Sequence, residues 1–145
     1  MRSIGFALAV LLCGCPGPVP AFDNFEGNWS GNVTDTFSCP GLTQQVETYG
    51  DTLTILQSGA AVSVSASDCS FSGTANGDMI VVNSGTCPTQ TFSDGSTLTL
   101  TISSGTLTLD NSGVLDLSMS GTSSVTDSMG NFADCGTTRI GSFLP

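Results

Sequence analysis

Thr97-Leu98-Thr99-Leu100-Thr101-Ile102 is the stretch of this sequence that decides its fold class. In an extended chain it places three aliphatic side chains on one face and three threonines on the other, the pattern of a strand with one buried and one solvated face. The same alternation recurs in Thr106-Leu107-Thr108-Leu109, in Leu115-Asp116-Leu117-Ser118-Met119 and in Val62-Ser63-Val64-Ser65-Ala66. No segment shows a convincing helical period, so the sequence predicts an all-β protein.

Turn-forming residues separate these runs and indicate how the strands connect. The turn signals are Ser58-Gly59, Asn76-Gly77-Asp78, Ser103-Ser104-Gly105 and Asn111-Ser112-Gly113. Short turns between consecutive strands favour an antiparallel up-and-down meander. We expect eight or nine strands that close into a small barrel, which leaves no open sheet edge, with a β-sandwich as the alternative. The predicted strands span about 27–37, 50–57, 61–67, 69–75, 79–84, 96–103, 106–110, 113–120 and 135–141.

The charge balance excludes one class of partner and several classes of enzyme. The 145-residue chain carries 12 acidic and 2 basic residues, a formal net charge of −10, and contains neither histidine nor lysine. Such a field repels nucleic acids. Without histidine or lysine, Ser-His, Cys-His and Schiff-base mechanisms are absent. Asp110 and Asp116, or Asp127 and Asp134, could form carboxylate pairs, but aspartates beside Gly and Asn are typical turn formers. We therefore expect no enzyme.

The N-terminal segment has the features of an export signal. Arg2 precedes an apolar run from Ile4 to Leu12 that is too short for a permanent transmembrane helix. Leu12-Cys13-Gly14-Cys15 resembles the bacterial lipobox, which implies a signal peptide over residues 1–14 and a lipid on Cys15. Residues 15–24 then form a Pro/Gly-rich tether, and 25–145 the barrel. The alternative is cleavage before Phe22, which releases a soluble periplasmic or secreted protein.

Both alternatives leave four cysteines for the folded domain: Cys39, Cys69, Cys87 and Cys135. In an exported protein four cysteines predict two disulfides, for which three connectivities exist. A metal site is not expected, because the domain has no Cys-x-x-Cys pair and no histidine.

The start of the domain carries a family resemblance. Phe25-Glu26-Gly27-Asn28-Trp29, with Phe22-Asp23 before it, resembles the first strand of lipocalins and other calycin barrels, which begins with Gly-x-Trp. In that family the Trp closes one barrel end and an Arg from near the last strand packs over it. The resemblance implies a barrel-end lid of Gly27, Trp29 and Arg139. The second lipocalin motif, Thr-Asp-Tyr, and the C-terminal helix are absent.

A closed antiparallel barrel also suggests the disulfide pairing. Cys69 starts one predicted strand and Cys87 follows the next, so the two flank one hairpin. Cys39 ends the first strand and Cys135 begins the last, and these ends meet when the barrel closes. We therefore predict Cys39–Cys135 and Cys69–Cys87.

The lipobox resemblance implies an envelope lipoprotein, and the calycin resemblance implies a barrel that holds a small apolar ligand; we expect a non-enzymatic protein without a cofactor. Pro16 after Cys15, in place of the Asp that retains some lipoproteins at the inner membrane, favours the outer membrane. In the alternative, the same side chains fill the barrel, and the domain acts through its acidic, Ser/Thr-rich exterior. The oligomeric state is left open. The candidate ligand-lining residues are Leu53, Val64, Phe71, Leu100, Ile102, Leu117 and Met119.

Overall fold

The computed structural model describes residues 23–145 of the chain. The predicted signal peptide, the lipidation site at Cys15 and the tether up to residue 22 lie outside the described residues. Within 23–145 the structure contains no helix long and apolar enough to cross a membrane.

Nine β-strands make up the domain. In Ala61–Ser65, Ser70–Asn76 and Phe132–Leu144 every second residue is exposed and the others are buried or half-buried, as the period-two pattern predicts. Their bounds are β1 Gly27–Ser38, β2 Gln45–Ser58, β3 Ala61–Ser65, β4 Ser70–Asn76, β5 Met79–Thr86, β6 Gln90–Thr91, β7 Thr97–Leu109, β8 Leu115–Thr126 and β9 Phe132–Leu144.

Eight of these strands close into an antiparallel barrel, so the predicted fold class is confirmed. Consecutive strands pair from β1 to β5, β5 pairs with β7, and β7, β8 and β9 follow in order. β9 pairs back onto β1, from Ser30↔Leu144 to Ser38↔Gly136, and this pair closes the barrel. The two-residue strand β6 adds only to β7.

The predicted turn at Ser103-Ser104-Gly105 is wrong, because β7 runs through it as one strand. The register against β8 shifts between Ile102 and Ser104, which marks a β-bulge. A Cβ at Gly105 would overlap Met119 on β8, so glycine is required for close strand contact rather than for a turn. The strands β2, β8 and β9 are also longer than predicted, because pairing with neighbours extends them beyond their apolar alternation.

One end of the barrel is closed by the segment that precedes β1. Phe25 is fully buried, its backbone N–H donates to the Gln57 side chain at 2.8 Å, and its carbonyl accepts a 2.9 Å bond from the Trp29 indole. Further out, the Asp23 N–H donates to Gly77 O in the β4–β5 turn. We call this the plugged end, and the opposite end, which contains Cys39 and Cys135, the open end.

Two disulfides join the strands in the predicted pairing. Cys39–Cys135 links the residue after β1 to β9, across 96 positions of sequence. Cys69–Cys87 links the residue before β4 to the residue after β5, across 18 positions. Each disulfide therefore ties together two strands that are neighbours in the sheet.

Aspartates stabilise three hairpin turns, the role expected of Asp110 and Asp127, whereas Asp116 lies on β8 and Asp134 on β9. Asp94, Asp110 and Asp127 each accept bonds from backbone N–H groups two residues on, and Asp110 and Asp127 also from N–H groups four residues on. Hydrogen bonds from Ser96, Ser112 and Asn131 lower the pKa of these three carboxyls.

These turns predict a loss of stability in acid. Because the folded carboxyls have lowered pKa values, their contribution is complete above the unfolded value of about 3.9 and is lost as pH falls through the folded values. We expect Asp110→Asn to lower Tm at neutral pH and to flatten the decline of Tm below about pH 4. Calorimetry across pH checks this, with Asp78→Asn, an exposed turn residue at the same end, as control. Parallel Tm–pH curves for Asp110→Asn and wild type would contradict it.

Candidate ligand cup

The open end of the barrel contains a recess of about 160 Å³, which we call the cup. Its inner lining is buried or half-buried, whereas Glu47, Pro88 and Gln90 at its edge are exposed and open it to solvent. Charged and apolar side chains both contribute. The lining residues are Asp35, Phe37, Glu47, Tyr49, Asp68, Cys87, Pro88, Gln90, Leu98, Leu100 and Arg139.

A buried ion pair forms the inner wall of the cup. Arg139 on β9 lies directly opposite Asp35 on β1. Both residues are 4% exposed. The guanidinium donates from Nε to Asp35 Oδ1 at 2.7 Å and from Nη2 to Oδ2 at 2.8 Å. This two-point contact holds the arginine in a single orientation.

A second carboxylate and a phenol complete the network. Asp68, in the β3–β4 loop, accepts from Arg139 Nη1 at 3.1 Å and from Nη2 at 2.8 Å. The Tyr49 hydroxyl accepts from Nη2 at 2.7 Å and donates to Asp35 Oδ2 at 2.9 Å. The guanidinium carbon also lies 5.9 Å from the Tyr49 ring centroid. Two carboxylates thus share one cation.

Asp51 positions the loop that supplies Asp68. Its carboxylate is buried, and Oδ1 accepts from the Ser67 N–H at 3.2 Å and from the Ser67 hydroxyl at 2.7 Å. Ser67 immediately precedes Asp68. A residue on β2 therefore holds the loop so that Asp68 faces Arg139.

The surroundings of Arg139 and Tyr49 favour the protonated form of both side chains. Burial would lower the pKa of the Arg139 guanidinium, but hydrogen bonds and charge from Asp35 and Asp68 outweigh it and raise that pKa above its usual range. Burial raises the pKa of the Tyr49 phenol, the Arg139 charge lowers it in part, and the two carboxylates raise it further. Arg139 therefore remains charged and Tyr49 neutral across the physiological pH range.

The predicted Trp29–Arg139 lid does not form. Arg139 pairs with Asp35, and Trp29 lies six positions earlier on β1, a separation of about 20 Å along the strand. Trp29 instead holds the Phe25 carbonyl at the plugged end, while Gly27 begins β1. Trp29 and Arg139 lie toward opposite ends of the barrel. Their positions are set by the register of β1 against β9, which the Gly-x-Trp motif does not encode.

The seven predicted ligand-lining residues are all buried and belong to one packed apolar cluster. Of the seven, Leu100 lines the cup, at its inner edge. The other six contact the same core as Phe25, Val33 and Phe143. The cup thus lies at the open end of the barrel, next to the apolar core that the predicted ligand-lining residues form.

Sequence reasoning identified Arg139 but missed its partners. Asp35 follows Trp29 and Val33 on the inward face of β1, so its position in the alternation was a usable signal. A lone cation on an inward face of β9 needs such a carboxylate. Asp68 comes from a loop that only the folded barrel brings near, and no sequence pattern marks it.

The cup brings three acids together: Asp35, Glu47 and Asp68. Asp35 and Asp68 accept hydrogen bonds on all four of their carboxylate oxygens. A general acid must carry a proton on an oxygen near the substrate. In this arrangement the Arg139 guanidinium already engages every carboxylate oxygen of Asp35 and Asp68.

No protein-family model, curated protein or solved structure matches this chain.

Proposed function

We propose that this protein is a non-enzymatic, lipid-anchored module of the bacterial envelope that binds a small ligand in the cup at the open end of its barrel. The observation that carries the proposal is the cup itself: a recess in which hydrogen bonds fix Asp35, Asp68 and Arg139 beside apolar surfaces. Ligand sites combine apolar surface with fixed polar groups that orient the ligand, and the cup offers both.

The packing of the barrel supports the cup over the barrel interior as the ligand site. The interior is occupied by the apolar cluster, and residues such as Leu53 and Val64 are almost completely buried by their neighbours. The cup, at about 160 Å³, is smaller than the 300–1,000 Å³ of sites for drug-sized ligands. The ligand is therefore small. The same packing also supports the alternative of a filled barrel that acts through its exterior.

The lipid anchor rests on the Leu12-Cys13-Gly14-Cys15 resemblance and is compatible with the two disulfides, which indicate an oxidising compartment. An anchor on Cys15 lies eight positions before Asp23. At about 3.5 Å per residue these span at most roughly 28 Å, so the domain would stay close to the membrane.

The experiment is intact mass spectrometry of protein from membrane and soluble fractions, under denaturing and native conditions. We expect a membrane-bound species that begins at acylated Cys15 and lacks four hydrogens through two disulfides. We also expect extra mass in the native spectrum. Leu98→Trp, which fills the cup, should abolish that extra mass, while Leu56→Trp, the same change on the exposed exterior, should retain it.

Two results would contradict the proposal. A soluble species that begins at Phe22 overturns the anchor. The absence of extra mass in every variant, together with no chemical-shift change from a panel of small fragments, overturns ligand binding and favours the filled barrel.

A further inference from the structure

We propose that the ligand of the cup is a small organic cation, a primary ammonium on a short apolar body. This inference rests on the proposed function, since it names the class of ligand for the same site. It follows from the hydrogen-bonding capacity, the charge and the shape of the cup.

The donors of the cup's one cation are already used. The Arg139 guanidinium has five N–H groups. Nε donates to Asp35, Nη1 to Asp68 and to Cys69 Sγ, and Nη2 to Asp35, Asp68 and Tyr49. Each N–H group already has an acceptor, the weakest being the Cys69 sulfur at 3.6 Å, so none is left without a partner for an anionic ligand. A carboxylate or phosphate entering the cup would have to displace Asp35 or Asp68.

Acceptors, in contrast, are in surplus. Each carboxylate offers about four lone-pair sites. Asp68 accepts two bonds from Arg139, and Asp35 accepts three from Arg139 and Tyr49. Glu47, exposed at the edge of the cup, adds a further carboxylate. Three acids against one arginine leave the lining negative, so the ligand that satisfies it donates hydrogen bonds and carries positive charge.

The shape of the cup sets the body of the ligand. Phe37, Pro88, Leu98 and Leu100 supply apolar surface beside the carboxylates. The volume corresponds to about five water molecules at about 30 Å³ each. A cation of about five heavy atoms fits: the ammonium lies toward Glu47 and Asp68, and the alkyl part contacts Leu98 and Leu100.

The test uses three compounds of similar size and different charge: n-butylammonium, 1-butanol and butyrate. Each is titrated into the folded protein at constant ionic strength, and backbone amide shifts are followed by NMR. We expect butylammonium to shift residues around Tyr49 and Leu98 with saturation, and to bind at least tenfold more tightly than butanol or butyrate. Glu47→Gln should weaken butylammonium at least threefold. Asp78→Asn, the same charge change at the plugged end, should leave its affinity unchanged.

The outcomes separate this inference from the proposed function. If butanol or butyrate binds the cup as tightly as butylammonium, the cation class is overturned and cup binding stands. If none of the three compounds, nor any fragment of the panel, shifts cup residues, both are overturned. Two further results would contradict the inference: inorganic ammonium gives the same shifts as butylammonium, or Glu47→Gln leaves the affinity for butylammonium unchanged. Either would mean that the carboxylates attract cations without selecting an organic ligand.

Discussion

Replacing Cys39 and Cys135 together with alanine is expected to lower the free energy of unfolding by about 4–5 kcal/mol. The disulfide closes a loop of 96 residues, so it removes much of the freedom of the unfolded chain. It also joins the two strands that close the barrel. Since small domains have about 5–15 kcal/mol in total, this loss removes a large part of the stability. Denaturant unfolding monitored by Trp29 fluorescence measures it.

The second disulfide provides the matched control. Cys69→Ala with Cys87→Ala removes a loop of 18 residues, for which the chain-entropy relation gives about 3 kcal/mol. We expect the Cys39/Cys135 variant to be the less stable of the two by about 1–2 kcal/mol. The reverse order would show that contacts of Cys87 in the cup, rather than loop length, decide the stabilisation.

Replacing Arg139 with methionine is expected to cost about 3–5 kcal/mol of folding stability, the range found when one partner of a buried ion pair is removed. Asp35 is buried and would lose both of its guanidinium contacts, and Asp68 would lose its two. Arg139→Lys should recover only part of this loss, because an ammonium cannot reproduce the two-point contact. Thermal and denaturant unfolding at neutral pH measure both variants.

Removing the unpaired carboxylates of Asp35 and Asp68 tests whether they cause the loss of stability in Arg139→Met. Adding Asp35→Asn and Asp68→Asn to Arg139→Met should recover a large part of the stability, since no uncompensated charge then remains buried. Glu47→Gln, at the exposed edge of the cup, should change stability by less than about 0.5 kcal/mol. A loss below about 1 kcal/mol for Arg139→Met would mean that the network is solvated rather than buried.

The fold class was predictable from residues such as Thr97–Ile102, because a period of two has one physical interpretation: one face in the core and one in water. The course of the chain at Ser103–Gly105 was not predictable. Ser-Ser-Gly favours a turn locally, but here the glycine serves the close approach of Met119 from another strand. The contact between Gly105 and Met119 therefore outweighs the local preference of Ser-Ser-Gly for a turn.

The site was only partly predictable for a related reason. Arg139 stood out as the single cation of the domain, yet its partner was expected to be Trp29 and is Asp35. Which residue on β1 faces Arg139 depends on the register of β1 against β9. Register is set by the whole closed barrel and not by a motif. The disulfides were predictable because strand order alone brings those cysteines together.

The β1–β9 pair also determines how the domain responds to a pulling force. Because the two strands are antiparallel, residue 27 and residue 144 leave the barrel at the same end. Tension applied to residues 27 and 144 would therefore load the hydrogen bonds of this pair one after another, starting from Ser30↔Leu144. Cys39–Cys135 lies at the far end of the pair, just beyond Ser38↔Gly136, and is a covalent stop. We therefore expect β1 and β9 to separate under load only as far as this disulfide and to pair again in the same register, because the covalent bond keeps the two strands aligned.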